Sequence, residues 1–155
     1  MQEMYLKATA LSSDRDWRVE NQAEGAILVD RQRITEAMMN LAQNAVQHTV
    51  AGNIIRLGSN LERDRVLFWV RDTGAGIPPA EQTRIFERFA RVMNTRRRSD
   101  GSGLGLAIVK AIVEAHDGSV RLQSHLGTGS TFILVLPINC SESVLHHVSN
   151  SYRRR

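Results

Sequence analysis

Three side chains four residues apart, Asn40, Asn44 and His48, share one face of any helix that holds them, with Gln47 beside them. A carboxamide oxygen is a hard, neutral ligand. A helix face with two of them suits a hydrated cation such as magnesium, which keeps most of its waters when it bridges to phosphates. The same face would also serve as plain solvated surface. In VRDTGAGIPPAE, residues 70–81, a strand delivers Asp72 to a loop holding Gly74 and Gly76. A carboxylate buried there needs hydrogen-bond donors. The exocyclic amine of an adenine is one, and the glycines let backbone approach a flat ring closely. A turn capped by aspartate is the simpler alternative.

Two further segments suit an anion. In GSGLGLAIVK, residues 101–110, Gly101, Gly103 and Gly105 stand at the mouth of a helix, where free N–H groups attract phosphate. The string has the outline of a dinucleotide fingerprint, but the loop RRRSD precedes it where that motif needs a strand. In FERFAR, residues 86–91, Phe86 and Phe89 would anchor one edge of a loop and hold Arg88 and Arg91 at its root. In GTGSTF, residues 127–132, two glycines make a turn and Thr131 opens the last strand.

The elements that must position these residues follow from periodicity. Ile34, Ala37, Met38, Leu41, Ala42, Ala45 and Val46 recur at helical spacing, so residues 31–49 read as an amphipathic helix N-capped by Asp30, without a capping box. Residues 17–20 and 26–29 are short strand candidates. Residues 53–61 and 66–71 pair through a loop at 62–64, and residues 120–124 and 131–136 form a terminal hairpin. Residues 80–87 are a short helix candidate, 90–102 an aperiodic polar loop expected to be mobile, and 103–116 a second long helix. Strands and helices mix without strict alternation, which favours an α+β fold: a two-layer α/β sandwich whose mixed, mostly antiparallel sheet is covered on one face by about three helices. Residues 1–16 read as a lead-in, 17–137 as the domain and 138–155 as a flexible basic tail.

The 155 residues suit one core, built from aliphatic side chains because aromatics make up only 5%. The net charge of +4 comes almost wholly from arginine, scattered except at Arg96–Arg98 and Arg153–Arg155. Neither cluster is interleaved with aromatics, so nucleic acid is not the expected partner. The single cysteine, Cys140, excludes an internal disulfide framework, and no apolar run reaches the ~18 residues of a membrane span. A soluble, cytoplasmic chain, monomeric in isolation and without membrane contact, is expected.

The order NLAQNAVQHT, DTGAGI, FERF, GSGLGLAIVK, GTGSTF resembles the N box, first glycine box, F box, second glycine box and last glycine motif of bacterial sensor histidine kinases. The resemblance spans residues 17–137 and implies the GHKL type of sandwich, with ATP under a lid at residues 90–102. It implies magnesium on Asn44, the adenine amine on Asp72, and Gly74, Gly76 and Ile77 along the ring. Gln47, His48, Arg88 and Arg91 would face the nucleotide. Gly101, Gly103, Leu104, Gly105 and Leu106 would present backbone amides to the phosphates, and Thr131 would sit near Asp72. The chain departs from the family in carrying Gln47 where many members have lysine, and Ala90 where an aromatic is frequent. Related GHKL hydrolases place a glutamate base where this chain has Asn40, and an amide accepts no proton at neutral pH. With Asn40, Asn44 and Arg91 as its catalytic set, the chain would therefore transfer the γ-phosphate to a positioned histidine.

None of His48, His116, His125, His146 and His147 precedes the acidic residue and nearby proline of the family's phosphoacceptor site. The acceptor is therefore expected on a separate domain or protein, which would pass phosphate to a response regulator. The chain reads either as a domain of a longer receptor or as a separately encoded ATP-binding subunit. Met1 and the tail to Arg155 favour the subunit. A nucleotide-sensing module without transfer activity and a GHKL-type ATP hydrolase are the competing functions.

Overall fold

The computed structural model describes residues 1–24, 27–87 and 103–138. Five strands form one mixed sheet in the order β1-β2-β3-β5-β4. β1 (Asp16–Val19) runs parallel to β2 (Ile54–Leu61), and the crossover between them is the helix α2 (Arg31–Gln47). Every other pairing is antiparallel: β2 with β3 (Arg65–Asp72), β3 with β5 (Gly129–Pro137), and β5 with β4 (Ser119–His125). Helices α1 (Gln2–Thr9) and α3 (Gly105–Glu114) join α2 over one face. This is the two-layer α+β sandwich expected from the sequence.

Strand alternation decides which side chains enter the core. Val66, Phe68 and Val70 of β3 and Phe132, Leu134 and Leu136 of β5 point toward the helices. They meet Ile34, Met38 and Leu41 of α2 and Val109, Ile112 and Val113 of α3. Asp30 caps α2 as expected, its carboxylate accepting the Arg33 N–H at 3.0 Å. The other end of α2 is closed by a residue the sequence did not single out. The Arg15 guanidinium, only 10% exposed, donates to the carbonyls of Val46 (3.3 Å) and Thr49 (2.9 Å) and to Thr49 Oγ1 (2.8 Å). A cation there satisfies orphan carbonyls and complements the negative end of the helix dipole.

Three local expectations are corrected. Residues 2–9 of the lead-in form α1, whose Met4 and Ala8 lie in the core and whose Tyr5 hydroxyl donates to the Trp17 carbonyl at 3.2 Å. Residues 27–29 form no strand: Ile27 and Val29 pack against the core while Leu28 is 91% exposed, so the alternation is present without a backbone partner. Residues 80–87 contain no α-helix. Beyond Pro78 and Pro79 the chain closes bonds of i to i+3 type, such as Glu81 N–H to the Pro78 carbonyl at 2.9 Å, and ends in one 3-10 turn, Arg84–Phe86. The lid at residues 90–102 and the tail from residue 139 lie outside the described residues.

Because Ala8 is fully buried, Ala8→Asp should lower unfolding stability by about 2 kcal/mol or more, the order expected for an unpaired buried polar group. Denaturant titration checks this; an unchanged midpoint would mean that α1 is not part of the folded unit.

Candidate functional site

β3 carries the alternation Val66, Phe68, Val70 to its last residue, so Asp72 falls on the same inward side and is only 5% exposed. Its Oδ1 accepts the Gly74 N–H at 2.8 Å, and the Ser130 backbone in β5 lies beside the carboxylate. Burial pushes the Asp72 pKa above the ordinary carboxylate range, and the two backbone neighbours oppose that rise without cancelling it. An ionised carboxylate offers about four acceptor sites, so the Gly74 N–H leaves capacity for a ligand.

The glycine loop after Asp72 is pinned on both sides. At Gly74 an added Cβ would fall 2.4 Å from the His48 carbonyl oxygen, which shows how closely the loop meets the C-terminal end of α2. At Gly76, with φ +74°, an added Cβ would fall 2.1 Å from the His125 carbonyl oxygen. Both positions exclude a side chain, the second also by its left-handed backbone. Ile77 N–H donates to Ser124 Oγ at 2.8 Å, and Gly127 N–H donates to the Ala75 carbonyl at 2.8 Å. Gln82 Nε2 donates to the Ile77 carbonyl at 2.9 Å and thus ties the far end of the loop.

Along α2, Asn40 and Asn44 are half-buried while Gln47 and His48 are exposed at its end. Asn40 Nδ2 donates to the Glu36 carbonyl at 3.0 Å. Its amide oxygen lies 3.4 Å from where a Cβ on Gly105 would stand. The N-terminus of α3 therefore abuts the carboxamide face of α2. The N-cap of α3, Leu104, supplies no side-chain hydrogen bond, so the first amides of that helix keep their donor capacity. Gly103, with φ +69°, turns the chain into the helix, and Leu106 packs against the core. Although His48 keeps contact with solvent, desolvation by the protein packed around the end of α2 lowers its pKa, which favours a neutral ring at neutral pH.

Two contacts of α2 link these segments: the His48 carbonyl lies against Gly74, and the Asn40 amide lies beside Gly105. Arg88, Arg91 and Gly101 lie outside the described residues. Thr131 requires a correction. It pairs with Arg71, whereas the next residue back, Ser130, falls opposite Asp72. Thr131 therefore points to the sheet face away from the helices, and Ser130 takes the inward place. Sequence reading also missed Ser124, whose Oγ lies 2.9 Å from Ser130 Oγ. Its signal was the alternation of β4 and β5, counted one residue further than the turn.

Residues 29–139 match the family described as histidine kinase-, DNA gyrase B-, and HSP90-like ATPase. The chain belongs to this ATPase family. Among its relatives is the sensor-like histidine kinase SenX3 of Mycobacterium bovis, 39% identical over 132 residues, which cover 84% of this chain and 32% of SenX3. The circadian input-output histidine kinase CikA of Synechococcus elongatus is 40% identical over 109 residues, 70% of this chain and 14% of CikA. The chain thus spans about a third or less of these relatives. Of solved structures, the mycobacterial sensor histidine kinase MprB superposes with a TM-score of 0.78 at 28% identity, covering 88% of this chain and 92% of that one. Full-length ShkA in complex with AMPPNP superposes with a TM-score of 0.72 at 32% identity, covering 88% of this chain and 28% of ShkA.

The raised pKa of Asp72 has a definite sign in stability. Below the ordinary carboxylate range both folded and unfolded chains hold the proton, and burial carries no charge penalty. As pH rises from there through the raised native value the unfolded chain ionises first, so stability falls, and above it the loss is constant. Asp72→Asn removes that titration. The stability of the parent minus that of the variant should therefore decrease with rising pH, measured by urea unfolding between about pH 3.5 and 7. A difference that stays flat would contradict the burial of this carboxylate.

Proposed function

We propose that this chain is the catalytic ATP-binding part of a cytoplasmic sensor histidine kinase. It would deliver the γ-phosphate of ATP to a histidine on a separate dimerisation and phosphoacceptor domain or protein, from which a response regulator receives it. The observation that carries this reading is that one helix, α2, meets the Asp72–Gly74 loop at His48 and the uncapped N-terminus of α3 at Asn40. A buried acceptor suits the adenine amine, and free helix amides suit the phosphates. The AMPPNP complex of ShkA and the kinase names of the relatives support the same reading. Among the described residues no helix is long and apolar enough to cross a membrane.

Magnesium fits the donor set. No group of three His, Cys, Asp or Glu among the described residues could hold a metal alone, and Asn44 offers a neutral oxygen on the half-buried face of α2. A cation there would take its remaining ligands from water and phosphate, and would supply neutralisation of phosphate charge. The chain's own part is positioning. Asp72 and the glycine loop fix the base, the α3 amides hold the phosphates, and Arg91 would approach them from the lid. Asn40 is no general base: its Nδ2 is engaged by the Glu36 carbonyl and its oxygen belongs to an amide. That favours transfer to a positioned acceptor over hydrolysis by water. A nucleotide-sensing module remains the second reading, favoured by Gln47, which lacks the charge of the family's frequent lysine.

Calorimetric titration with ATP and magnesium tests the site. Asp72→Asn should lose about 2 kcal/mol, roughly thirtyfold in Kd, because a buried donor–acceptor pair is broken. Asn44→Ala should bind with an affinity that no longer responds to magnesium. Unchanged affinity in the first, or an equal magnesium response in the second, contradicts the assignment. Mixed with ATP and a phosphoacceptor domain taken from a relative such as SenX3, the chain should label the histidine and turn over little ATP by itself. Steady turnover of ATP without the acceptor would mark a hydrolase, and tight binding with neither outcome a sensing module.

A further inference from the structure

The sheet face turned away from the helices carries side chains that the nucleotide site does not use. Strand register places Arg18, Arg56, Arg71, Thr131 and Gln123 in one row across β1, β2, β3, β5 and β4. The neighbouring row runs Gly58, Trp69, Ile133 and Arg121. Trp69 lies flat over Gly58, where an added Cβ would come within 2.2 Å of its ring, and its Nε1 donates to Glu20 Oε2 at 3.3 Å. Leu67, Trp69 and Ile133 are half-buried and floor a groove of about 710 Å³ edged by Arg71 and His125, with Glu20 on one side and the Asp72–Ser130 end of the sheet at its margin.

Like charges directly opposite one another in neighbouring strands repel. Three arginines in consecutive register therefore repel one another, and the one carboxylate near Arg18 and Arg56, Asp16, offsets only part of that. The described strands and the residue after β1 set two acids on this face, Asp16 and Glu20, against five arginines, Arg18, Arg56, Arg65, Arg71 and Arg121, of which Arg65 is paired with Glu62 and Asp64 at the hairpin. Asp16 pairs with Arg18, and Glu20 is engaged by the indole. A half-exposed tryptophan ringed by guanidinium groups is the composition of a protein-binding hot spot.

We propose that this face docks an acidic segment of a partner protein, with carboxylates on Arg56 and Arg71 and an apolar side chain against Trp69 and Ile133. A second copy of the same face would meet it with the same charge. The chain's own residues 139–155 hold one acid, Glu142, and three arginines, and are mismatched in the same way. Nucleic acid would match the charge, yet the groove offers one aromatic platform and an aliphatic floor, where strand binders rely on successive stacking surfaces.

The test uses the full chain and a fluorescently labelled random copolymer of glutamate and tyrosine, read by anisotropy at low and high salt. Binding should weaken with salt, and by about tenfold or more in Arg56→Gln/Arg71→Gln, while ATP affinity of that variant stays unchanged. Arg56→Thr should also weaken copolymer binding and raise the melting temperature, since it relieves repulsion from both neighbours and suits a strand. Equal copolymer binding by parent and variants would overturn the proposal. So would a lower melting temperature for Arg56→Thr, an oligothymidylate of matched charge binding as tightly, or loss of binding on removal of residues 139–155 alone.

Discussion

A carboxylate withdrawn from water must be supplied with hydrogen-bond donors, and much of this molecule is arranged around that requirement at Asp72. The strand that carries Asp72 continues the inward side of the core by one polar residue. Gly74 N–H donates to it from the loop behind, and the Ser130 backbone comes alongside from the neighbouring strand. Gly129, at φ +117°, lets β5 come close enough: a Cβ there would stand 2.1 Å from the Asp72 carbonyl oxygen. The closeness of three backbone segments at one acid sets the end of this sheet apart from the end of a simple hairpin.

Most of the framework was legible because it rests on period. The stripe Ile34 to Ala45 gave α2, and the alternations of residues 66–71 and 131–136 gave the two central strands. What was not legible depended on partners distant in sequence. Nothing local tells that Met4 and Ala8 reach the core, or that Arg15 closes α2 from 31 residues away. Ile27 and Val29 show the opposite failure, since their alternation is sound but no strand lies alongside. At the proposed site, the motifs pointed to the segments and misjudged the parity of one residue. Counting from the turn, Thr131 looks first in line; counting from its partner Arg71, it faces away and Ser130 faces in.

The two faces of the sheet divide the work. Toward the helices lie apolar side chains ending in one acid and a pair of linked serines, 2.9 Å apart. Away from them lie arginines and an indole. Because β3 and β5 contribute to both faces at alternate positions, Arg71 and Asp72 stand on opposite sides of a single strand one residue apart. A protein bound to the outer face would thus be separated from the nucleotide cleft by only the thickness of the sheet.

The helix α2 also acts as a ruler. Eight residues separate Asn40 from His48, about 12 Å along an axis that neither stretches nor compresses. Two points along it are fixed independently, its C-terminal end by the carbonyl packed on Gly74 and its middle by the Asn40 amide beside Gly105. The distance from the glycine loop to the start of α3 is therefore set by a rigid rod and does not depend on the conformation of either loop.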